Sequence, residues 1–146
     1  MAYERLKPKV IYARGVISDF YRTITKINPV EWPTLHMFLS DKLALNAVLT
    51  EYIPNMKMID LSNNSTRRLS KLRDILLEMH EANVLQGDAY PMNMIVVPGE
   101  SDRVLWVDFG RAQTIPEGPL TQRREEWLQD EVKLVEYFVN SLLDIV

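Results

Sequence analysis

The sequence predicts one α+β domain, in which a short β-hairpin lies between two long amphipathic helices. Three observations lead to this prediction. Leu69, Leu72, Leu76 and Met79 form an apolar stripe at helical spacing. Two short apolar runs, MIVV and VLWV, are separated by PGESDR, a pattern that is typical of a hairpin with its turn. A second helical stripe lies near the C-terminus.

In the first third of the chain, the sequence predicts shorter helices and strands. Residues 1–6 are expected to be the end of a helix that Pro8 stops, and residues 10–16 lean towards β-structure. The run FYRTITKI, from residue 20 to 27, has the β-branched and aromatic content of a strand, and a turn with two prolines follows. Residues 43–53 are a second strand candidate, although the first half of this run could also be helical.

Polar residues delimit the central helix and the loop that follows it. A Ser- and Asn-rich stretch at 62–65 offers an N-cap, so this helix is expected from about Thr66 to Ala82. A loop with the sequence QGDAYP leads from the helix to the hairpin, whose strands are expected at 94–97 and 104–107. The tripeptide Asp-Phe-Gly closes the hairpin.

The last helix is expected to begin after Thr121, which can cap it, and to carry acids in its first turns. Its stripe consists of Val132, Val135, Val139 and Leu142. Further apolar residues widen this stripe, so we expect the helix to be buried on more than one side; they are Trp127, Leu128, Leu134, Phe138 and Leu143.

Composition excludes several classes of protein. The 146 residues carry 17 Lys+Arg against 20 Asp+Glu, and the basic residues are scattered, which does not indicate a nucleic-acid surface. No apolar run approaches the ~20 residues of a membrane helix, so we expect no membrane partner and a cytoplasmic location. There is no cysteine. Neither His36 nor His80 has a metal-ligating neighbour at ligand spacing, so both are expected to be structural.

Three polar residues form the candidate chemical site. Asp88 and Asn93 are five positions apart in the loop after the central helix, and Asp108 begins the Asp-Phe-Gly. Phosphoryl transfer needs a carboxylate that orients the attacking hydroxyl, together with oxygen ligands for the Mg²⁺ on the phosphates. Asp and Asn at this spacing, followed by Asp-Phe-Gly, are the pattern of kinase catalytic loops. We therefore expect the three side chains to converge on one Mg²⁺.

These residues carry a family resemblance. The segment from LSKLRD to GRAQT, at 69–114, resembles the catalytic core of the protein-kinase-like and aminoglycoside-phosphotransferase-like superfamily, and especially fungal kinase-like proteins. The run PLTQRREEWLQDEVKLVEYFV is similar to the C-terminal helix of that family. NAVLTEYIPNM resembles the strand and hinge that hold adenine, and AYERL resembles the end of the helix that carries the glutamate partner of the anchoring lysine.

The resemblance implies a fold and a set of roles. It implies a kinase-like C-terminal lobe at about 54–146 and a remnant of the N-terminal lobe at about 1–53, with a sheet of about two strands. Asp88 matches the catalytic base, and Asn93 and Asp108 match the Mg²⁺ ligands. The backbone of Glu51, Tyr52 and Ile53 matches the adenine hinge. The implied cofactors are Mg²⁺ and ATP.

Two departures from the family pattern are evident. Gln86 stands two positions before the aspartate, where the family usually has histidine or tyrosine. The five glycines are never clustered, so no G-x-G-x-x-G is present, and no strand lysine precedes AYERL. Without that loop and lysine, the phosphates lose their usual cradle, and transfer should be slower by many orders of magnitude unless a partner supplies these groups.

Three functions are consistent with this pattern. The first is a phosphotransferase that is weak or completed by a partner and acts on a small molecule or a protein. The second is a pseudokinase that serves as a binding or regulatory module. The third is a small enzyme that uses Asp88 for acid–base chemistry on a metabolite. We also expect a homodimer, because a cut-down sheet would expose an edge and an apolar face that includes Ile24, Val48 and Leu49.

Overall fold

The computed structural model describes residues 2–6, 14–99 and 102–143. These residues have an α+β composition, with helices and three small sheets of two or three strands. It divides into two compact units, one formed by Asp19–Tyr52 and the other by the described parts of residues 1–18 and 53–146. Residues 10–13, where β-structure is expected, lie outside the described residues, and Arg14 and Gly15 form a turn.

The smaller unit is a β-ribbon with a helical connection. Strand β1 (Phe20–Ile27) pairs antiparallel with β2 (Leu45–Thr50), and the pairing has two register shifts. These bounds confirm both expected strands and exclude the helical alternative for β2. The connection holds two 3-10 helices, Pro29–Glu31 and Pro33–Phe38, each with proline in its first positions, where a missing N–H costs nothing.

The described part of the larger unit contains three α-helices: α1 (Ala2–Leu6), α2 (Thr66–Glu81) and α3 (Gln122–Leu143). Its first sheet has the order β3-β5-β6, formed by Lys57–Met58, Met94–Val96 and Val104–Trp106. The antiparallel pairing of β5 with β6 confirms the expected hairpin. Its second sheet pairs β4 (Val84–Leu85) with β7 (Gln113–Thr114).

The core of this unit lies between α2 and the hairpin. The stripe on α2 is buried as expected, since Leu69, Leu72, Leu76 and Met79 are each 0% exposed. Trp106 on β6 is also 0% exposed, and its indole Nε1 donates a hydrogen bond of 2.9 Å to the carbonyl of Leu72. A buried indole N–H needs such a partner. This contact fixes the hairpin against the middle of α2.

The last helix corrects one expectation. Thr121 caps α3 as expected, because its hydroxyl accepts a hydrogen bond from the backbone nitrogen of Arg124. The expected burial on more than one side is wrong, since Val135 is the one fully buried residue of the helix and Trp127 is 40% exposed. Only one stripe of α3 faces α2, and the wider set of apolar residues remains partly in solvent. None of the described helices is long and apolar enough to span a bilayer.

Candidate functional site

The loop between α2 and the hairpin begins at a sharp change of direction. Ser65 caps the start of α2 by accepting a hydrogen bond from the backbone nitrogen of Arg68. After the helix, Asn83 has a φ of 58°, a left-handed conformation that asparagine tolerates. The chain then forms β4 and enters the segment 86–93, which contains two of the predicted site residues.

Gly87 occupies a position that excludes a side chain. Its φ is +81°, and a Cβ at this position would lie 2.0 Å from the backbone oxygen of Arg111. That oxygen belongs to the segment that follows the Asp-Phe-Gly. Glycine therefore allows the loop that carries Asp88 to approach the segment that carries Asp108.

Asp88 and Asn93 are in direct contact. The side-chain nitrogen of Asn93 donates to the backbone oxygen of Asp88 at 2.8 Å and to its carboxylate Oδ2 at 3.2 Å. Asn93 is buried, with 4% exposure, and Asp88 is partly exposed. Because the side-chain nitrogen of Asn93 donates to Asp88, its other side-chain atom, Oδ1, remains an acceptor. This oxygen is the atom that a cation would use.

Asp108 has an unusual backbone conformation. Its φ is 57°, and its carboxylate Oδ1 accepts a hydrogen bond of 3.2 Å from the backbone nitrogen of Gly110. Left-handed backbone at a residue other than glycine costs free energy and is concentrated at functional sites. The side chain of Asp108 is exposed, so its carboxylate is open to a ligand.

Phe109 connects this tripeptide to α1. Its ring is buried and lies edge-on to the ring of Tyr3, with 5.0 Å between the centroids. Burial raises the pKa of Tyr3; a hydrogen bond with Ser18 opposes this shift, and the negative charge of Asp108 adds to it. The segment AYERL therefore packs against the Asp-Phe-Gly.

Gln86 is fully buried, with 0% exposure, and its side-chain amide bonds to both segments of the site. Its Nε2 donates to the carbonyls of Val107 and Asp108 at 2.9 and 3.0 Å. Its Oε1 accepts from the backbone nitrogen of Asp88 at 2.7 Å. One side chain thus contacts the backbone of both predicted acids.

Glu131 on α3 holds the start of the loop. Its two carboxylate oxygens accept hydrogen bonds of 2.9 Å from the backbone nitrogens of Gln86 and Gly87. Oε1 also lies 2.8 Å from Nε2 of His80 on α2. The structural role predicted for His80 therefore has a definite partner. Glu131 has no signal at the level of the sequence, because its partners are 44 to 51 positions away.

The three hinge residues differ in their surroundings. Glu51 is bonded to Asp19 twice, through its backbone nitrogen at 2.7 Å and its carboxylate at 3.1 Å. Tyr52 is 85% exposed, whereas Ile53 is buried in a cluster with Ile95, Val97 and Leu105. The N–H of Glu51, one of the predicted hinge groups, is therefore already bonded within the smaller unit.

The residues present suit a Mg²⁺ ion that is shared with phosphates. Among the described residues, no group of three or more His, Cys, Asp or Glu side chains is arranged to hold a metal by itself. Mg²⁺ usually takes one or two protein carboxylates and completes its shell with water and phosphate oxygens. By type, the exposed carboxylate of Asp108 and the amide oxygen of Asn93 are ligands that such an ion accepts.

A cavity of about 390 Å³ lies on the side of the loop that faces α3. Its described lining residues are Leu85, Gly87, Gln113, Trp127, Asp130 and Glu131. Neither Asp88, Asn93 nor Asp108 is among them, so this cavity is separate from the three predicted site residues.

Comparisons of the chain with protein-family models, with curated proteins and with solved structures find no match.

Proposed function

We propose that this chain is a kinase-like protein that binds ATP weakly through Mg²⁺, and that it acts as a phosphotransferase which is slow or is completed by a partner. One observation carries the proposal: the side chain of Asn93 contacts the carboxylate of Asp88 in a loop that Gln86 joins to Asp108. The residue types and their spacing are those that phosphoryl transfer requires.

Each residue has a distinct role in this proposal. The carboxylate of Asp88 accepts a hydrogen bond from the acceptor hydroxyl, orients it and takes its proton. The Oδ1 of Asn93 and the carboxylate of Asp108 would hold Mg²⁺, and the ion would neutralise charge on the phosphate oxygens. Because the sequence contains no G-x-G-x-x-G, nucleotide binding should depend strongly on Mg²⁺.

Calorimetry with ATP tests this proposal. The wild-type chain should bind with a Kd of about 0.1–1 mM in the presence of Mg²⁺, which corresponds to about −4 to −5.5 kcal/mol. Asp108→Ala should abolish this binding without unfolding the chain, since the side chain is exposed and contributes little packing. Asp74→Ala, which removes an exposed carboxylate from α2, is the matched control and should bind like the wild type.

Turnover separates the two kinase-like alternatives. Asp88→Asn should keep Mg²⁺-dependent binding and lose any ATP-dependent transfer, because it removes the base and keeps the shape. Binding without transfer in the wild type would favour the pseudokinase. Absence of binding at millimolar ATP would refute the proposal for this chain.

A further inference from the structure

We infer that Gln86 is the positioning residue that holds Asp88 and Asp108 in one fixed arrangement. The expected effect of Gln86 on Mg²⁺ binding rests on the proposed function. The hydrogen bonds that join Gln86 to Asp88 and Asp108 are a property of the folded chain and do not depend on it.

The first step is the match between the amide and its surroundings. A glutamine side chain has two N–H donors and one carbonyl acceptor. In this chain both donors reach carbonyls, of Val107 and Asp108, and the acceptor receives the N–H of Asp88, all at 2.7–3.0 Å. A buried amide is costly unless it is bonded, and this one is fully buried and fully bonded.

The second step is that the backbone of Gln86 is also held in place. The backbone nitrogen of Gln86 donates to Glu131, so α3 holds the main chain of the residue while its side chain spans the site. A side chain fixed at both ends cannot change rotamer without breaking bonds to buried groups. The loop with Asp88 and the turn with Asp108 should therefore move as one body.

The third step is that other residues satisfy fewer of these bonds. A neutral histidine has one donor and one acceptor, so it could bond Asp88 and only one of the two carbonyls. Glutamate keeps an acceptor for the N–H of Asp88 but places a carboxylate against the carbonyls of Val107 and Asp108. Methionine, of similar volume, offers none of the three bonds. Comparison of these variants therefore tests the hydrogen bond to Asp88 (the Asp88 end) separately from the hydrogen bonds to Val107 and Asp108 (the Asp108 end).

Amide hydrogen exchange, followed by NMR on the full chain without ligand, tests the Asp88 end. Gln86→Met should accelerate exchange of the Asp88 N–H by about tenfold or more, because its acceptor is removed. Gln86→Glu should leave that rate within about threefold of the wild type, because an acceptor remains. Gln129→Glu, which adds the same charge at an exposed position of α3, is the control. An unchanged Asp88 rate in Gln86→Met would overturn the inference.

Mg²⁺-dependent ATP binding tests the Asp108 end. Gln86→Glu should weaken it by about tenfold or more, as is usual when a residue that orients a metal ligand is lost. ATP binding measured without Mg²⁺ should not change. A residue with a merely structural role would lower the melting temperature and leave the Mg²⁺ dependence as in the wild type, and that result would also overturn the inference.

Three further outcomes are decisive. If Gln86→Met does not fold, Gln86→His serves as the second variant in the binding measurement, and it should weaken Mg²⁺-dependent ATP binding less than Gln86→Glu does, because it keeps one of the two bonds to the carbonyls. If no variant folds, amide exchange in the wild type tests the inference. An Asp88 N–H that exchanges as fast as an unprotected loop amide would contradict the hydrogen bond to Gln86. If the wild type binds no Mg²⁺–ATP, the proposed function is refuted, and the exchange rates still decide the role of Gln86.

Discussion

The carboxylate of Glu131 lies 2.8 Å from Nε2 of His80, and both side chains are only 9% exposed. The same carboxylate accepts from the backbone nitrogens of Gln86 and Gly87. Three donors, from α2 and from the loop before Asp88, therefore meet one acceptor group on α3. Because these donors are buried against one carboxylate, Glu131 should control both the stability of the fold and the order of this loop.

Glu131→Ala is expected to lower the free energy of unfolding by about 3–5 kcal/mol, because it leaves buried donors without their charged acceptor. Glu131→Gln should cost less, about 1.5–3 kcal/mol, since one oxygen remains to accept. Urea denaturation followed by circular dichroism measures both effects. Amide exchange at Gln86 and Gly87 should accelerate in each variant.

The neighbouring carboxylate provides a matched control. Asp130 is 73% exposed at its side chain and lies 4.0 Å from Lys133, so Asp130→Asn should change stability by less than about 0.5 kcal/mol. Equal losses in Asp130→Asn and Glu131→Gln would show that general charge on α3, and not the buried contact, stabilises the loop.

Gly87→Ala should be among the most destabilising single changes in the loop. It combines a φ of +81° with a Cβ 2.0 Å from the oxygen of Arg111, and we expect a loss of about 3–5 kcal/mol. Gly99 has a nearly identical φ of +83°, and no atom of the described residues lies within 4 Å of its Cβ position. Gly99→Ala should therefore show the backbone strain alone, about 1–2 kcal/mol. Similar losses in the two variants would contradict the close approach of the two segments.

The elements that the sequence predicts correctly are those with local signals. The cap at Ser65 and the stripe that begins at Leu69 are a few residues apart, so α2 is evident without knowledge of the fold. The hairpin is equally local, because its strands and turn are continuous in the chain.

Long-range features have no such signal. The strand Gln113–Thr114 exists only because it pairs with Val84–Leu85, and two residues cannot show a periodicity. Burial of α3 depends on how much of its surface α2 covers, which the apolar stripe does not reveal. In the candidate site, spacing predicts Asp88, Asn93 and Asp108 as a group, whereas the contacts of Gln86 and Glu131 emerge only when distant segments meet.

Alkaline pH should destabilise the chain through Tyr3. Burial raises the pKa of its hydroxyl, so the folded chain keeps a proton that the unfolded chain releases above about pH 10. The stabilisation provided by the protonated hydroxyl of Tyr3 is fully present below the pKa that this group has in the unfolded chain. It is lost as the pH rises through the pKa of the same group in the folded chain. The free energy of unfolding should therefore fall by up to about 1.4 kcal/mol per pH unit in that window.

Urea denaturation at several pH values from 7 to 11 measures this effect. Tyr3→Phe should be less stable than the wild type near neutral pH, because it loses the bond with Ser18, and the difference should shrink or reverse at high pH. Tyr137→Phe, which removes an exposed phenol from α3, controls for the loss of one tyrosine. A constant difference between Tyr3→Phe and wild type at all pH values would contradict this assignment.

Self-association remains a prediction, and the smaller unit supplies its physical basis. Val48 and Leu49 are 44% and 43% exposed, and successive residues of a strand point to opposite faces. Both faces of the β1–β2 ribbon therefore expose apolar side chains. In the described residues, neither strand pairs with a third one, so each also presents an edge. An isolated two-stranded ribbon is marginal in water, and pairing with a second copy would cover these surfaces.

We therefore expect light scattering at high micromolar concentration to show a dimer, against a chain mass of 17.0 kDa. Val48→Lys with Leu49→Lys should shift the equilibrium towards monomer by at least about tenfold, because each face of the ribbon would carry a charge and the face in the contact would have to bury it. Tyr137→Lys, at a residue that is 65% exposed on α3, adds charge outside the ribbon and should leave the dimer intact. A wild-type monomer, or equal dissociation in the ribbon and α3 variants, would contradict association through β1 and β2.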